Sequence, residues 1–216
     1  MIYLYALTEP GRELAQETGI DGAPVEEVML EGLSAICSRH AELELRTDAA
    51  ALWHHERVVE QVMERGPTLP VRFGTTFLDE EAMRSALASQ VLSSRRALQR
   101  VRDCVELAVR VTAPDRRPVP GPGGRAYLEA RLASEGAAAE AFEQVLGPLR
   151  SRAVAVRRLE RPAGAPLLSV SYLVRRAQVA AFVSEVARVQ GLHPELSISA
   201  TGPWAPYSFV EEEAAA

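Results

Sequence analysis

Apolar and polar positions alternate at Val105, Leu107, Val109 and Val111 against Glu106, Ala108 and Arg110, the two-residue period of a half-buried strand. The same period returns at Leu168, Val170, Tyr172 and Val174, and again at Leu196, Ile198 and Ala200. Ala153 to Leu159 is a further strand. Two stretches step by three and four instead. Leu128, Leu132, Ala139, Phe142, Leu146 and Leu149 mark a helix over about 125–149, and Val179, Phe182, Val183 and Val186 mark one closed by Gly191. Pro114 to Gly124 and Pro162 to Pro166 are loop and turn, because neither tolerates a regular element. The resulting order, β-α-β-β-α-β, is the split arrangement of a ferredoxin-like fold.

The first half has a different rhythm. Ile2 to Thr8 is an apolar strand closed by Pro10-Gly11, and Val25 to Cys37 is a hairpin turning near Glu31-Gly32. A helix follows, capped by Thr47 or Asp48, with Leu52, His55, Val59, Val62 and Met63 on one face. Gly66-Pro67 ends it, with Gly66 expected in a left-handed conformation. Leu69 to Phe77 reads as one strand, with Leu69, Val71 and Phe73 on one side and Pro70, Arg72 and Gly74 on the other; Pro70 limits it to an edge, a first position or a bulge. Asp79 caps a helix, with Glu80 and Glu81 in its first turn, that runs to about Arg102 and links the halves. The expected architecture is α+β in two domains. Residues 1–103 form a smaller N-terminal α+β domain with the linking helix; residues 104–216 form a modified ferredoxin-like domain with a C-terminal tail.

Composition narrows the possible chemistry. A hydrophobic share of 47% over 216 residues supports a real core, and a net charge of −5 argues against general nucleic-acid binding. All 24 basic residues are Arg, which matches GC-rich codon usage and also supplies planar, two-pronged hydrogen-bonding groups. Cys37 and Cys104 lie in apolar surroundings and read as small buried thiols. Neither a signal peptide nor an apolar run of membrane-spanning length is visible, so the expected location is cytoplasmic, with no membrane partner.

Candidate sites are few. His54-His55-Glu56 lacks the four-residue His spacing of zinc proteases, and adjacent helical side chains diverge by about 100°. His55 therefore reads as a helix-packing histidine whose ring bonds to backbone or carboxylate. No nucleophile motif is present, and the Gly-rich stretch 121–124 contains Pro122 and has no Lys. No catalytic, cofactor or metal residue is assigned, and the chain is expected not to be an enzyme. Arg72 reads either as the partner of Glu60 or Glu64 or, flanked by Phe73 and Phe77, as a contact for another protein. Trp204 and Tyr207, bracketed by Pro203 and Pro206, read as an extended tail that covers a core edge or anchors a partner. Arg95, Arg96, Arg100 and Arg102 form a basic cluster, a solvated face or a surface for an acidic partner.

The pattern His55-Glu56-x-Val58-x-Glu60-x-Val62-Met63, followed by Leu69-Pro70-Val71-Arg72-Phe73-Gly74-Thr75-x-Phe77, resembles the gas vesicle accessory proteins of the GvpF/GvpL family. Ile2 to Thr8 is similar to that family's opening strand, and Thr201 to Val210 to its closing motif, with Ala205 where the family often has Pro. The resemblance implies a small α+β domain before a modified ferredoxin-like one. It also implies an accessory or minor structural protein of gas vesicle assembly, located with the vesicle. Its implied partners are the hydrophobic major shell protein (GvpA-type) and other gas vesicle accessory proteins. The strand around Arg72 would then hold the shell protein by strand addition, with Arg72, Phe73, Phe77, Trp204 and Tyr207 as contact residues. The alternative from the residues alone is a ferredoxin-like regulatory or small-ligand-binding module.

Overall fold

The computed structural model describes residues 1–11, 18–42, 48–112, 145–158 and 168–210. The chain divides into two compact units. One comprises Met1–Val105 with Trp204–Ala216, the other Glu106–Pro203. The C-terminal segment thus groups with the first unit, not with the ferredoxin-like domain in which the sequence placed it.

The first unit is built on a five-stranded sheet. Strand β1 (Ile2–Thr8) is buried along its whole length because it has neighbours on both sides. The hairpin β2 (Val25–Met29) and β3 (Ser34–Arg39) lies on one side, paired antiparallel as Val28↔Ala35, with β3 beside β1. On the other side β1 pairs with both β4 (Thr68–Pro70) and β5 (Thr76–Phe77). The β1–β3 register shifts between Leu4 and Ala6, a bulge that leaves Tyr5 as the additional residue.

Helix α1 (Ala49–Arg65) starts at Asp48, whose carboxylate accepts from the Ala51 amide, a cap worth about 1 kcal/mol. It buries His55, Val58, Val59, Val62 and Met63, but Leu52 and Trp53 in its first turns are 46% and 70% exposed. Leu52 is therefore not part of the packed face, since that face begins one turn later. Gly66 at the helix end has φ 165°, ψ −171°, which is extended backbone and not the left-handed conformation expected. The expected linking helix is two helices, α2 (Glu80–Ala88) and α3 (Val91–Val101), separated at Ser89-Gln90. Asp79 caps the first of them through the Ala82 amide.

The second unit carries the antiparallel four-stranded sheet of β6 (Cys104–Thr112), β7 (Ala155–Arg158), β8 (Leu168–Arg175) and β9 (Ser197–Trp204), in the order β7-β8-β6-β9. In order of appearance this is 2-3-1-4, the ferredoxin-like arrangement predicted from the alternation. Helix α4 (Val179–Leu192) passes through Gly191 and packs Phe182, Val186 and Val189 onto Leu107, Val109, Val170 and Tyr172. Residues 145–150 are helical and add Val145, Leu146 and Leu149 to that core. The rest of the helix expected from residue 125, the loop 114–124, the turn 162–166 and the tail 211–216 lie outside the described residues. Strand β9 runs four residues beyond Ala200, so Trp204 ends a strand and does not lie in an extended tail.

Candidate functional site

The expected strand from Leu69 to Phe77 is broken. Residues 71–75 leave the ladder because Gly74 takes φ 89°, a left-handed value that a β-branched or bulky residue resists. The turn is closed by the Arg72 carbonyl, which accepts from the Thr75 amide at 3.2 Å and the Thr75 hydroxyl at 2.8 Å. Its ends are tied to β1: the Val71 amide donates to the Tyr5 carbonyl and the Leu4 amide to the Thr75 carbonyl. The side chain of Arg72 is exposed and makes no ion pair among the described residues, so the expected pairing with Glu60 or Glu64 is absent.

Beneath the turn lies His55, fully buried on α1. Its Nε2 is 3.0 Å from the Val71 carbonyl, which only accepts, so Nε2 carries the proton. Nδ1 is then the acceptor and takes the Tyr3 hydroxyl proton at 2.9 Å. The Tyr3 oxygen in turn accepts from the Gly74 amide at 3.0 Å. The backbone of the turn is thus held at Val71 and Gly74 by one two-residue relay. The Tyr207 hydroxyl is 3.2 Å from Nε2 and donates to the Glu56 carboxylate at 2.8 Å. The rings of Tyr3, His55 and Phe73 meet edge-on at 5.7–6.3 Å between centroids.

The electrostatics follow from burial. Loss of water holds His55 down at about 4, against the weaker opposing pull of the Val71 carbonyl, so the ring is neutral at pH 7. Burial pushes the Tyr3 hydroxyl up to about 12, with the Gly74 amide opposing. It also raises the Tyr207 hydroxyl, as does the neighbouring Glu56 carboxylate. Glu56 is raised by burial, and the Tyr207 hydrogen bond opposes that rise. The arrangement suits a fixed, neutral brace, in which each proton already has a fixed acceptor. Among the described residues no group of three or more His, Cys, Asp or Glu is placed to hold a metal ion.

Of the five residues singled out in the sequence, three meet here. Arg72 tops the turn, Phe73 packs half-buried on Tyr3 and His55, and Tyr207 binds Glu56 and His55. Tyr207 belongs to a short 3₁₀ turn, Tyr207–Phe209, not to an extended tail; Phe209 is buried and its carbonyl accepts from Arg100 at 2.9 Å. Phe77 is half-buried in β5, next to Ile2 opposite, and Trp204 is 50% exposed at the end of β9. The strand-addition geometry expected here is not available. Strand β4 is three buried residues long, ends in a proline without an N–H, and has α3 packed beside it. Sequence reading gave Tyr3 and Glu56 no role, because their partners are up to 151 residues away.

Fold and site together define a two-unit α+β protein with a ferredoxin-like unit and a surface turn braced from beneath. The sequence pattern of the gas vesicle synthesis protein GvpL/GvpF family matches residues 1–211, and the chain belongs to that family, and with it to gas vesicle formation. It is similar to gas vesicle protein F2 of Halobacterium salinarum, 27% identical over 218 residues that cover 97% of this chain and 92% of that protein. Gas vesicle proteins F and L of a Streptomyces species are similar at 27% and 28% identity, covering 97% and 96% of this chain and 99% and 91% of theirs. The fold is that of the crystal structure of GvpF from Microcystis aeruginosa, with a TM-score of 0.82 at 19% identity, covering 98% of this chain and 99% of that one. GvpF from Anabaena gives a TM-score of 0.80 at 18% identity, with 98% and 96% covered.

Proposed function

We propose that this chain is a non-enzymatic accessory or minor structural protein of gas vesicle assembly. It binds the hydrophobic shell protein (GvpA-type) and helps nucleate or extend the gas-filled shell, working in the cytoplasm and alongside other gas vesicle accessory proteins. The observation that carries this reading is the braced turn. An exposed arginine with no ion pair among the described residues stands beside a half-buried phenylalanine on a turn whose backbone is held at both ends and from below. Binding groups on a rigidly supported loop lose little entropy on association, and Arg and aromatic residues dominate binding hot spots. Leu52 and Trp53, one turn before His55 on α1, and Leu78, directly after Phe77, add exposed apolar side chains suited to a hydrophobic partner. Contact runs through side chains on the turn, in place of the strand addition that the sequence suggested.

Co-expression with the shell protein and capture of the complex tests this, using the parent chain, Arg72→Glu and Arg110→Glu. Retention by the parent and by Arg110→Glu, with loss in Arg72→Glu and unchanged circular dichroism, is the expected result. Equal retention by all three would remove the turn as the contact. Failure of the folded parent to retain the shell protein would remove direct binding.

A further inference from the structure

A chain of hydrogen bonds separate from the braced turn runs from the surface of the first unit into its sheet. Tyr5, the additional residue of the β1 bulge, is fully buried. Its hydroxyl oxygen accepts from the Ile20 amide at 2.8 Å and lies 2.9 Å from the Ser38 hydroxyl. Ser38, on β3, is also fully buried, and its oxygen is 2.8 Å from Nε2 of His40. His40 is half-buried just past the end of β3, so its ring reaches water. At the inner end, the Ile20 amide belongs to the short 3₁₀ turn Ile20–Gly22, which packs against α1. The Tyr5 hydroxyl occupies the space of a side chain at Gly19, where a Cβ would stand 2.0 Å away. Among the described residues neither the Tyr5 nor the Ser38 hydroxyl has another hydrogen-bond partner.

Two contacts, Tyr5–Ser38 and Ser38–His40, hold two hydrogens. With His40 neutral and its proton on Nδ1, Tyr5 donates to Ser38 and Ser38 donates to Nε2, so every hydrogen has an acceptor. Charging His40 puts a third hydrogen on Nε2. If Nε2 and Tyr5 both donate to Ser38, the serine hydrogen is stranded where water does not reach. If Ser38 turns to donate to Tyr5, the tyrosine hydrogen is stranded, and the Tyr5 oxygen must serve both Ser38 and the Ile20 amide. Other charges face His40. Burial holds it below its ordinary value; Asp21 in the turn opposes this, and the N-terminal amine, which donates to the His40 carbonyl at 2.6 Å, adds to it. Arg39, beside it on β3, is committed to Glu26 on β2 and Glu80 on α2. We propose that Ser38 relays the charge of His40 to Tyr5, so that mild acidification loosens the hold of Tyr5 on the Ile20–Gly22 turn. This pH-sensitive latch is independent of the turn at Arg72 and of the shell-protein reading.

The test is amide hydrogen exchange by NMR on the full chain from pH 7.5 down to 5, above the range in which His55, held at about 4, takes up a proton. After correction for intrinsic exchange, protection of the Ile20 amide falls about tenfold, with the midpoint of the His40 ring titration. His40→Gln never charges and keeps an acceptor for Ser38, so its Ile20 protection stays level. Ser38→Ala breaks the relay: His40 still titrates, and Ile20 protection stays level through that midpoint. His40→Gln supplies the deciding comparison where Ser38→Ala, at a fully buried position, fails to fold. His193→Gln, which removes a histidine of the second unit, behaves as the parent. A level profile in the parent, a fall that persists in His40→Gln or in folded Ser38→Ala, or a fall abolished by His193→Gln would overturn the proposal.

Discussion

Replacing Tyr207 with Phe removes one oxygen and leaves the ring in place, so its effect isolates the hydrogen bonds that hold the C-terminal segment to α1. The lost donor reaches the Glu56 carboxylate at 2.8 Å. A hydrogen bond to a charged group contributes about 1.5–3 kcal/mol. Glu56 is only half-buried, so water partly replaces the lost partner and moves the cost toward the low end. His55 adds little, because Nε2 keeps the Val71 carbonyl at 3.0 Å. The expected cost is about 1.5 kcal/mol. Urea unfolding followed by far-ultraviolet circular dichroism measures that cost. A cycle of Tyr207→Phe and Glu56→Ala should show a coupling on the order of 1 kcal/mol. The Glu56 carboxyl should also titrate at a higher pH in Tyr207→Phe, since the hydroxyl that favours its charged form is gone. A cost below about 0.3 kcal/mol, an additive cycle and an unmoved Glu56 titration would refute the assignment.

Two further outcomes follow from the same unit. His55 sits near 4 when folded and returns to about 6.5 when unfolded, so the unfolded chain takes up the proton first and stability falls as pH drops from about 6.5 to 4. The limit for this group is roughly 3 kcal/mol, partly offset by Glu56, whose raised carboxyl works in the opposite sense; a His55 ring that titrates above pH 5.5 would contradict the buried, neutral assignment. Gly19→Ala would put a Cβ 2.0 Å from the Tyr5 hydroxyl, which is held by the Ile20 amide and Ser38, and should cost about 3 kcal/mol; Tyr5→Phe in that background should recover only part, because the ring carbon is still 2.7 Å away.

Much of the second unit was legible because its rules are local. Alternation at Val105 to Val111 and at Leu168 to Val174 marks strands with one face in a core, and Val179 to Val186 marks a helix with one apolar stripe. The connectivity of such elements leaves few topologies. Asp79 was likewise readable as a cap, and Asp48 as one of two candidates with Thr47, since a cap bonds an amide three residues on. Failures came where two local signals overlapped. Leu69 to Phe77 alternates as a strand should, yet the left-handed Gly74 and the donors of Tyr3 and His55 bend it into a turn.

The sequence by itself determined the strands and helices whose periodicity is unbroken, the ferredoxin-like strand order, the buried role of His55 and the family likeness. All of these rest on the spacing of residues within a window of a turn or a strand, or on a motif read in order. Tertiary structure alone decided that Tyr207 closes on Glu56 and His55, that the C-terminal segment joins the first unit, and that among the described residues the Arg72 side chain has no ion pair while Arg100 and Arg102 are committed. Those facts concern hydrogen bonds and ion pairs between residues about 90 to 150 positions apart, and no local pattern encodes which donor a folded chain brings to which acceptor.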